Sequence, residues 1–155
     1  MVTLYSLRKK AGKPVIVCEK KIEKVVKCGN PESVRDFVNE EFLLSERIEE
    51  YTYLLCCLNG NNNVNGVFEI AHGGYDFAHC DPKSVFIRAL LCGSSKIILV
   101  HNHPSGDPTP SDDDYNITKK LYDGGKLLSI NLLDHVIVGD GMTYYSMHDN
   151  NFFAD

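Results

Sequence analysis

The residues with the clearest capacity for chemistry are His101, His103, Ser111 and Asp114, which fall within fourteen positions, HNHPSGDPTPSDDD. Residues two apart on a strand face the same side, so His101 and His103 can aim two imidazoles at one point while Asn102 faces away. Taken alone, the pair serves as well for packing or hydrogen bonding as for holding a metal. Ser111 reads as a helix N-cap with Asp114 at N3, the arrangement of a capping box, and Asp112, Asp113 and Asp114 all suit the positive end of a helix dipole. Capping therefore accounts for these four residues without any catalysis. It does not account for the loop before them, which Pro104, Pro108 and Pro110 stiffen, so that the distance between histidines and carboxylate is fixed. Two imidazoles and one carboxylate are suitable ligands for zinc, and three protein ligands leave a fourth position for water. Zinc lowers the pKa of such a water toward ~7 and supplies hydroxide at neutral pH.

Hydrolysis also needs a group that takes the proton from water and returns it to the leaving group. The sequence offers Glu69, the sole acid between Glu50 and Asp76, set among Val67, Phe68, Ile70 and Ala71. As an isolated feature it also fits a solvent-facing strand residue. Asp134 and His135 lie on a strand and face opposite ways, so only one can turn toward the site. An orienting role for a ligand is open to it, although a buried structural histidine is the simpler reading. His72, His79 and His148 have no partner spacing and read as ordinary surface or core residues. The six cysteines include no C-x-x-C pair and read as reduced structural thiols. Cys56 and Cys57, adjacent in a strand-like run, should point to opposite faces.

The elements that must position these groups form a mixed series. Residues 14–27 read as one or two strands with basic exposed positions. Asn30 and Pro31 look like an N-cap and first helical position, and Val34, Phe37, Val38 and Phe42 at helical spacing predict a helix over 31–44. A strand over 51–58, turn chemistry over 60–66 and a strand over 67–71 make a hairpin. Asp81 and Pro82 open a second helix that ends near Gly93. Lys96 to Val100 is a buried-type strand running into His101. Ser111 starts a third helix, stopped by Gly124 and Gly125. Leu132 to Val138 and Thr143 to Met147 are the last strands. The pattern predicts one compact α/β domain, a mixed sheet flanked by helices, with residues 1–30 as a basic strand segment packing on a domain over 31–155.

At this point the sequence resembles a known family. His101-x-His103, seven residues, Ser111, two residues and Asp114 match the JAMM motif of JAB/MPN metalloproteases. The wider text, HNHPSGDPTPS, a helix and then LLDHVIVGDG, is similar to the RadC-like (UPF0758) branch, from about Glu32 to Ser146. The resemblance implies a JAB/MPN fold of cytidine-deaminase-like architecture. It implies one zinc per chain held by His101, His103 and Asp114. It also implies Glu69, four residues before Gly73, as the catalytic acid–base and Ser111 as donor to a tetrahedral oxyanion. Ser111 can fill both roles, because its oxygen accepts the capping bond while its proton goes elsewhere. A His-Pro-Arg segment usual before the second helix is Asp81-Pro82-Lys83 here, and Lys does not replace the planar fork of Arg. The N-terminal helix-hairpin-helix region of full-length relatives has no counterpart in residues 1–27, so the family's DNA-repair label transfers poorly.

Bulk properties bound the alternatives. The chain has 155 residues, 43% of them hydrophobic, and a net charge of −5. Residues 1–27 carry +6 and residues 28–155 carry −11. No apolar run approaches the ~18 residues of a membrane span, and Met1 to Lys10 lack the pattern of a secretory signal, so a cytoplasmic protein is expected. The leading expectation is a zinc-dependent metallopeptidase or isopeptidase acting on a peptide or protein. The alternative is an accessory factor in DNA transactions, with a structural metal or nucleolytic activity, and a binding module without turnover is a third. For DNA, Lys20, Lys21, Lys24 and Lys27 lack interleaved aromatics, and an acidic body repels phosphate. Pairing of the basic arm with the acidic body, or with another copy of the chain, is at least as good a reading.

Overall fold

The computed structural model describes residues 1–57, 60–75 and 77–154. The chain opens with strands β1 (Val2–Lys10) and β2 (Lys13–Ile22), followed by helix α1 (Pro31–Phe42). Strands β3 (Tyr51–Cys57) and β4 (Val64–His72) precede helix α2 (Pro82–Cys92) and strand β5 (Lys96–Asn102). Helix α3 (Asp112–Leu128) and strands β6 (Asn131–Val138) and β7 (Tyr144–Ser146) complete it. All seven strands form one mixed sheet in the order β2-β1-β4-β3-β5-β6-β7. The β1·β4 and β5·β6 pairs are parallel and the others antiparallel.

Alternation along the strands gives each sheet face its own core. Val34, Phe37 and Val38 of α1 pack with Tyr53, Val100, Val136 and Val138 on one face. Val85, Phe86 and Ala89 of α2 and Leu121 of α3 pack with Leu54, Phe68, Ile97 and Leu99 on the other. The result is a three-layer α/β/α arrangement, as the sequence pattern implies. His101 and His103 continue the face of Ile97 and Leu99, so the histidines open on the α2/α3 side.

Three local readings are corrected. The strand expected over 14–27 is a hairpin that also takes in residues 2–10. Its β1 joins β4 in parallel, with Tyr5 stacked on Phe68 at 5.5 Å. The turn expected over 60–66 is shorter, because β4 already starts at Val64. Gly124 and Gly125 do not stop α3, which continues to Leu128 and ends on Ser129 in the left-handed conformation. Both glycines serve close packing instead: a Cβ at Gly125 would run into the carbonyl oxygen of Ile130, and one at Gly124 would press on the Phe86 ring. The expectation for the Cys56 and Cys57 side chains, and for Leu58, falls outside what is described.

Candidate metal centre

Two structural devices bring the motif together. Strand β5 carries His101 and continues into His103, whose backbone N–H donates to Val138 O at 2.9 Å and ties the strand exit to β6. Across the Pro-rich loop, Ser111 caps α3 in a complete capping box. Asp114 N–H donates to Ser111 Oγ at 3.2 Å, and Ser111 N–H donates back to Asp114 Oδ2 at 2.9 Å. The capping box thus also aims the Asp114 carboxylate. Its Oδ1 lies 3.2 Å from His101 Nε2 and its Oδ2 lies 3.1 Å from His103 Nε2. The two Nε2 atoms are 3.1 Å apart.

Glu69 does not join them. In the β3·β4 ladder it sits opposite Tyr53, whose ring belongs to the α1-side core, and it is exposed. The sheet therefore lies between Glu69 and the histidines. The fourth member of the cluster is Glu50, just before β3, on the same face as Thr52, which pairs with His101. Glu50 Oε1 is 3.6 Å from His101 Nε2. One ligating atom from each of Glu50, His101, His103 and Asp114 falls within 4.8 Å of the others. The glycine used as a landmark for Glu69 adjoins Glu50 instead. Gly73 N–H donates to Glu50 O at 2.9 Å, so the glutamate beside it is reached across the ladder, not four residues back along the strand. The available signal was Glu50 at the entry of a strand that pairs with the H-x-H strand.

Asn102, facing away from the two histidines, fixes Glu50 from behind. Its Oδ1 accepts from Tyr51 N–H at 2.7 Å and its Nδ2 donates to Glu49 O at 3.0 Å. The backbone on both sides of Glu50 is thus clamped by the residue between the histidines. Asp134 faces the other side of β6, where it accepts from Ser146 Oγ at 2.6 Å and from the N–H groups of His135 and His148. Its burial raises its pKa. The residue that turns toward the cluster is His135, whose Nε2 is 2.8 Å from His101 Nδ1.

The donor chemistry fits a cation. His103 Nδ1 lies 3.0 Å from Asp107 O. A carbonyl only accepts, so Nδ1 carries the proton and the Nε2 of the neutral ring is a bare lone pair. That lone pair faces a carboxylate oxygen and a second imidazole nitrogen, an assembly of acceptors that coheres around a cation. The site is also shielded, with His101 only 3% and Asp114 and Glu50 each 8% exposed. Burial opposes ionisation of Asp114, but the two imidazoles beside it outweigh that effect and hold its carboxyl far below the usual range. Burial also works against charge on His103, but the Asp114 carboxylate prevails and raises its pKa, so a proton takes up the Nε2 position where no metal competes for it. Burial raises the pKa of Glu50 against the lowering effect of both histidines. These residues could hold a divalent metal ion.

Glu50, His101 and Asp114 of the cluster line a cleft of about 710 Å³, bounded also by His79, Cys80, Asn116 and Lys120. The Cys80 thiol is pushed up to about 12 by burial, so it stays protonated and is unsuited to nucleophilic attack. No helix among the described residues is long and apolar enough to cross a membrane.

Comparison with known proteins finds relatives over most of the chain. A family model described as RadC-like JAB domain matches residues 28–152. A UPF0758 protein of Alkaliphilus metalliredigens is 41% identical over 122 residues, 79% of this chain and 51% of the relative. One of Clostridium acetobutylicum is 39% identical over 124 residues, 80% of this chain and 52% of the relative. One of Methanosarcina acetivorans is 43% identical over 100 residues, 64% of this chain and 43% of the relative. The chain spans about half the length of the curated relatives it matches.

Proposed function

Since the chain belongs to the RadC-like JAB domain family, we propose that it is a zinc-dependent amide hydrolase that cuts a peptide or isopeptide bond with water. The observation that carries this reading is the position of Glu50, a buried carboxylate brought against His101, His103 and Asp114 and lining the same cleft as His101 and Asp114. A proton-shuttling group is then present beside a three-ligand set of the catalytic rather than the closed structural type.

In this reading His101 Nε2, His103 Nε2 and one oxygen of Asp114 hold the zinc. Bound there, zinc would supply Lewis acidity toward a carbonyl and toward water. Glu50 Oε1 takes the proton from the attacking water and delivers it to the leaving amine. Burial raises its pKa, which favours the protonated form it takes between those two transfers. Ser111 spends its oxygen on the Asp114 N–H, which leaves its proton for the oxyanion that develops on the substrate carbonyl. Asp107, through its carbonyl, keeps the His103 ring from rotating.

The test compares two glutamates. Glu50→Gln should keep zinc and lose hydrolysis of a cleavable peptide or isopeptide by at least ~10², whereas Glu69→Gln should leave rate and zinc unchanged. His103→Ala should lose both zinc and activity. Unchanged turnover in Glu50→Gln would remove the proposed mechanism. A metal-edge anomalous map should place one ion among the four residues with a position open to solvent. A fourth protein ligand closing that position would make the metal structural.

The ion pairs of the basic N-terminal segment do not favour nucleic acid as the partner. Arg8 pairs with Glu19 at 2.8 Å, and Lys24 pairs with Glu40 at 2.8 Å and Glu41 at 3.2 Å on α1. These bases are partly spent on the protein's own acids.

A further inference from the structure

We propose that Thr118 and His135 are positioning residues that hold His101 in the tautomer with its proton on Nδ1, which frees Nε2 as a metal ligand. The proposal rests on the metal reading of the cluster. It concerns how the protein prepares one ligand before any metal arrives.

His101 Nε2 is the ring atom within the cluster, 3.2 Å from Asp114 Oδ1. It can ligate only as a bare lone pair, so the proton of the neutral ring must be on Nδ1. That Nδ1 is 2.8 Å from His135 Nε2. Two neutral rings joined this way share one proton, and whichever ring donates, the other accepts. The tautomer of His101 is therefore decided by that of His135.

His135 is decided in turn by Thr118. Its Nδ1 lies 2.6 Å from Thr118 Oγ1, and the same hydroxyl lies 2.6 Å from the backbone carbonyl oxygen of Asp114. A carbonyl only accepts, so the one hydroxyl proton goes to Asp114 O. Toward His135 the Thr118 oxygen can then only accept, which puts the His135 proton on Nδ1. His135 Nε2 is left bare and accepts from His101 Nδ1–H. The polarity of the chain, set at a main-chain carbonyl, ends as a lone pair on His101 Nε2. The reverse polarity would point an N–H from His101 at Asp114 and block ligation.

Burial makes the chain decisive. Thr118 is 0%, His135 1% and His101 3% exposed, so water does not replace any link. Thr118 stands one helical turn after Asp114, so α3 supplies one ligand directly and sets the ligating atom of another through β6. Outer partners of this kind are worth roughly 10- to 100-fold in metal affinity.

Three measurements on the full chain test the proposal. Long-range ¹⁵N spectra of the metal-free protein at mildly alkaline pH should show both His101 and His135 protonated at Nδ1. Zinc affinity, read by competition with a chromophoric chelator, should fall by about 10- to 100-fold in Thr118→Val and return in Thr118→Ser. Thermal melting of each metal-free variant verifies that it is folded. A His101 proton on Nε2 in the wild-type protein, or wild-type zinc affinity in folded Thr118→Val, would overturn the proposal. Wild-type protein that binds zinc with this dependence on Thr118 but cuts no amide would support the proposal while removing the hydrolase reading. Intact hydrolysis with no dependence of zinc on Thr118 would do the opposite.

Discussion

A single oxygen, Asp114 Oδ2, joins the two readings that its sequence context permits. It accepts from Ser111 N–H at 2.9 Å as part of the capping box and stands 3.1 Å from His103 Nε2 in the cluster. Capping and the ligation proposed for Asp114 are therefore met by one arrangement. The cap supplies the orientation that a ligand needs, and the backbone half of the cap survives any change of side chain at 111. Ser111→Ala should then cost about 1 kcal/mol of stability, the usual value for a lost N-cap, read from urea unfolding. Zinc affinity should stay within a few-fold of wild type, because the residue-111 N–H still aims Asp114. Hydrolysis should fall by about 10² as the oxyanion donor is lost, and Ser111→Thr should restore both stability and rate. A variant that loses stability but hydrolyses at the wild-type rate would reduce Ser111 to a helix cap.

At the scale of elements, the site depends on β3 entering beside β5, and Asn102 makes that junction. It is 1% exposed and bonds to the backbone on both sides of Glu50. Asn102→Ala leaves Tyr51 N–H and Glu49 O without those partners, at a cost of about 1–3 kcal/mol. Activity should drop at least ~10-fold as Glu50 drifts, with zinc affinity nearly unchanged, which separates Asn102 from the histidines on either side. The same junction explains what was legible in the sequence. His101, His103, Ser111 and Asp114 lie close along the chain, and local periodicity and capping rules suffice to bring them together. Glu50 arrives through strand pairing, which spacing along the chain does not encode, so Glu69 drew attention although it lies on the other sheet face. The helix stop read from Gly124 and Gly125 failed for a related reason. Glycine usually signals a helix end, but here Gly124 meets the Phe86 ring of α2 and Gly125 meets Ile130 O just past the end of α3, contacts that the hydrophobic spacing does not show. Gly125→Ala should accordingly destabilise the protein by about 1–3 kcal/mol, which a denaturant melt would register, instead of strengthening the helix.

On the scale of the whole molecule, the cluster ties together three parts of the chain that no single element holds: the entry to β3, the exit of β5 and the start of α3. A metal bound there favours only the state in which all three are assembled, so it should stabilise the fold as a unit. The expected size follows from linkage: at a free zinc concentration 100 times Kd the folded state gains about 2.7 kcal/mol. For a chain of this length each kcal/mol moves the melting temperature by roughly 2–4 °C. Zinc added to chelator-stripped protein should thus raise the melting temperature by about 5–10 °C. The shift should vanish in Asp114→Ala and persist in Glu69→Gln. Replacing Lys20, Lys21, Lys24 and Lys27 by Gln should also leave it intact, because none of the four belongs to the cluster or to the lining of its cleft. The same quadruple variant addresses the nucleic-acid alternative. Binding to a DNA duplex that weakens with salt and disappears in the variant would assign the hairpin a phosphate-binding role, whereas equal and negligible binding by both proteins is expected. Identical melting of the stripped wild-type protein with and without zinc would mean that the four acceptors do not gather a metal at all.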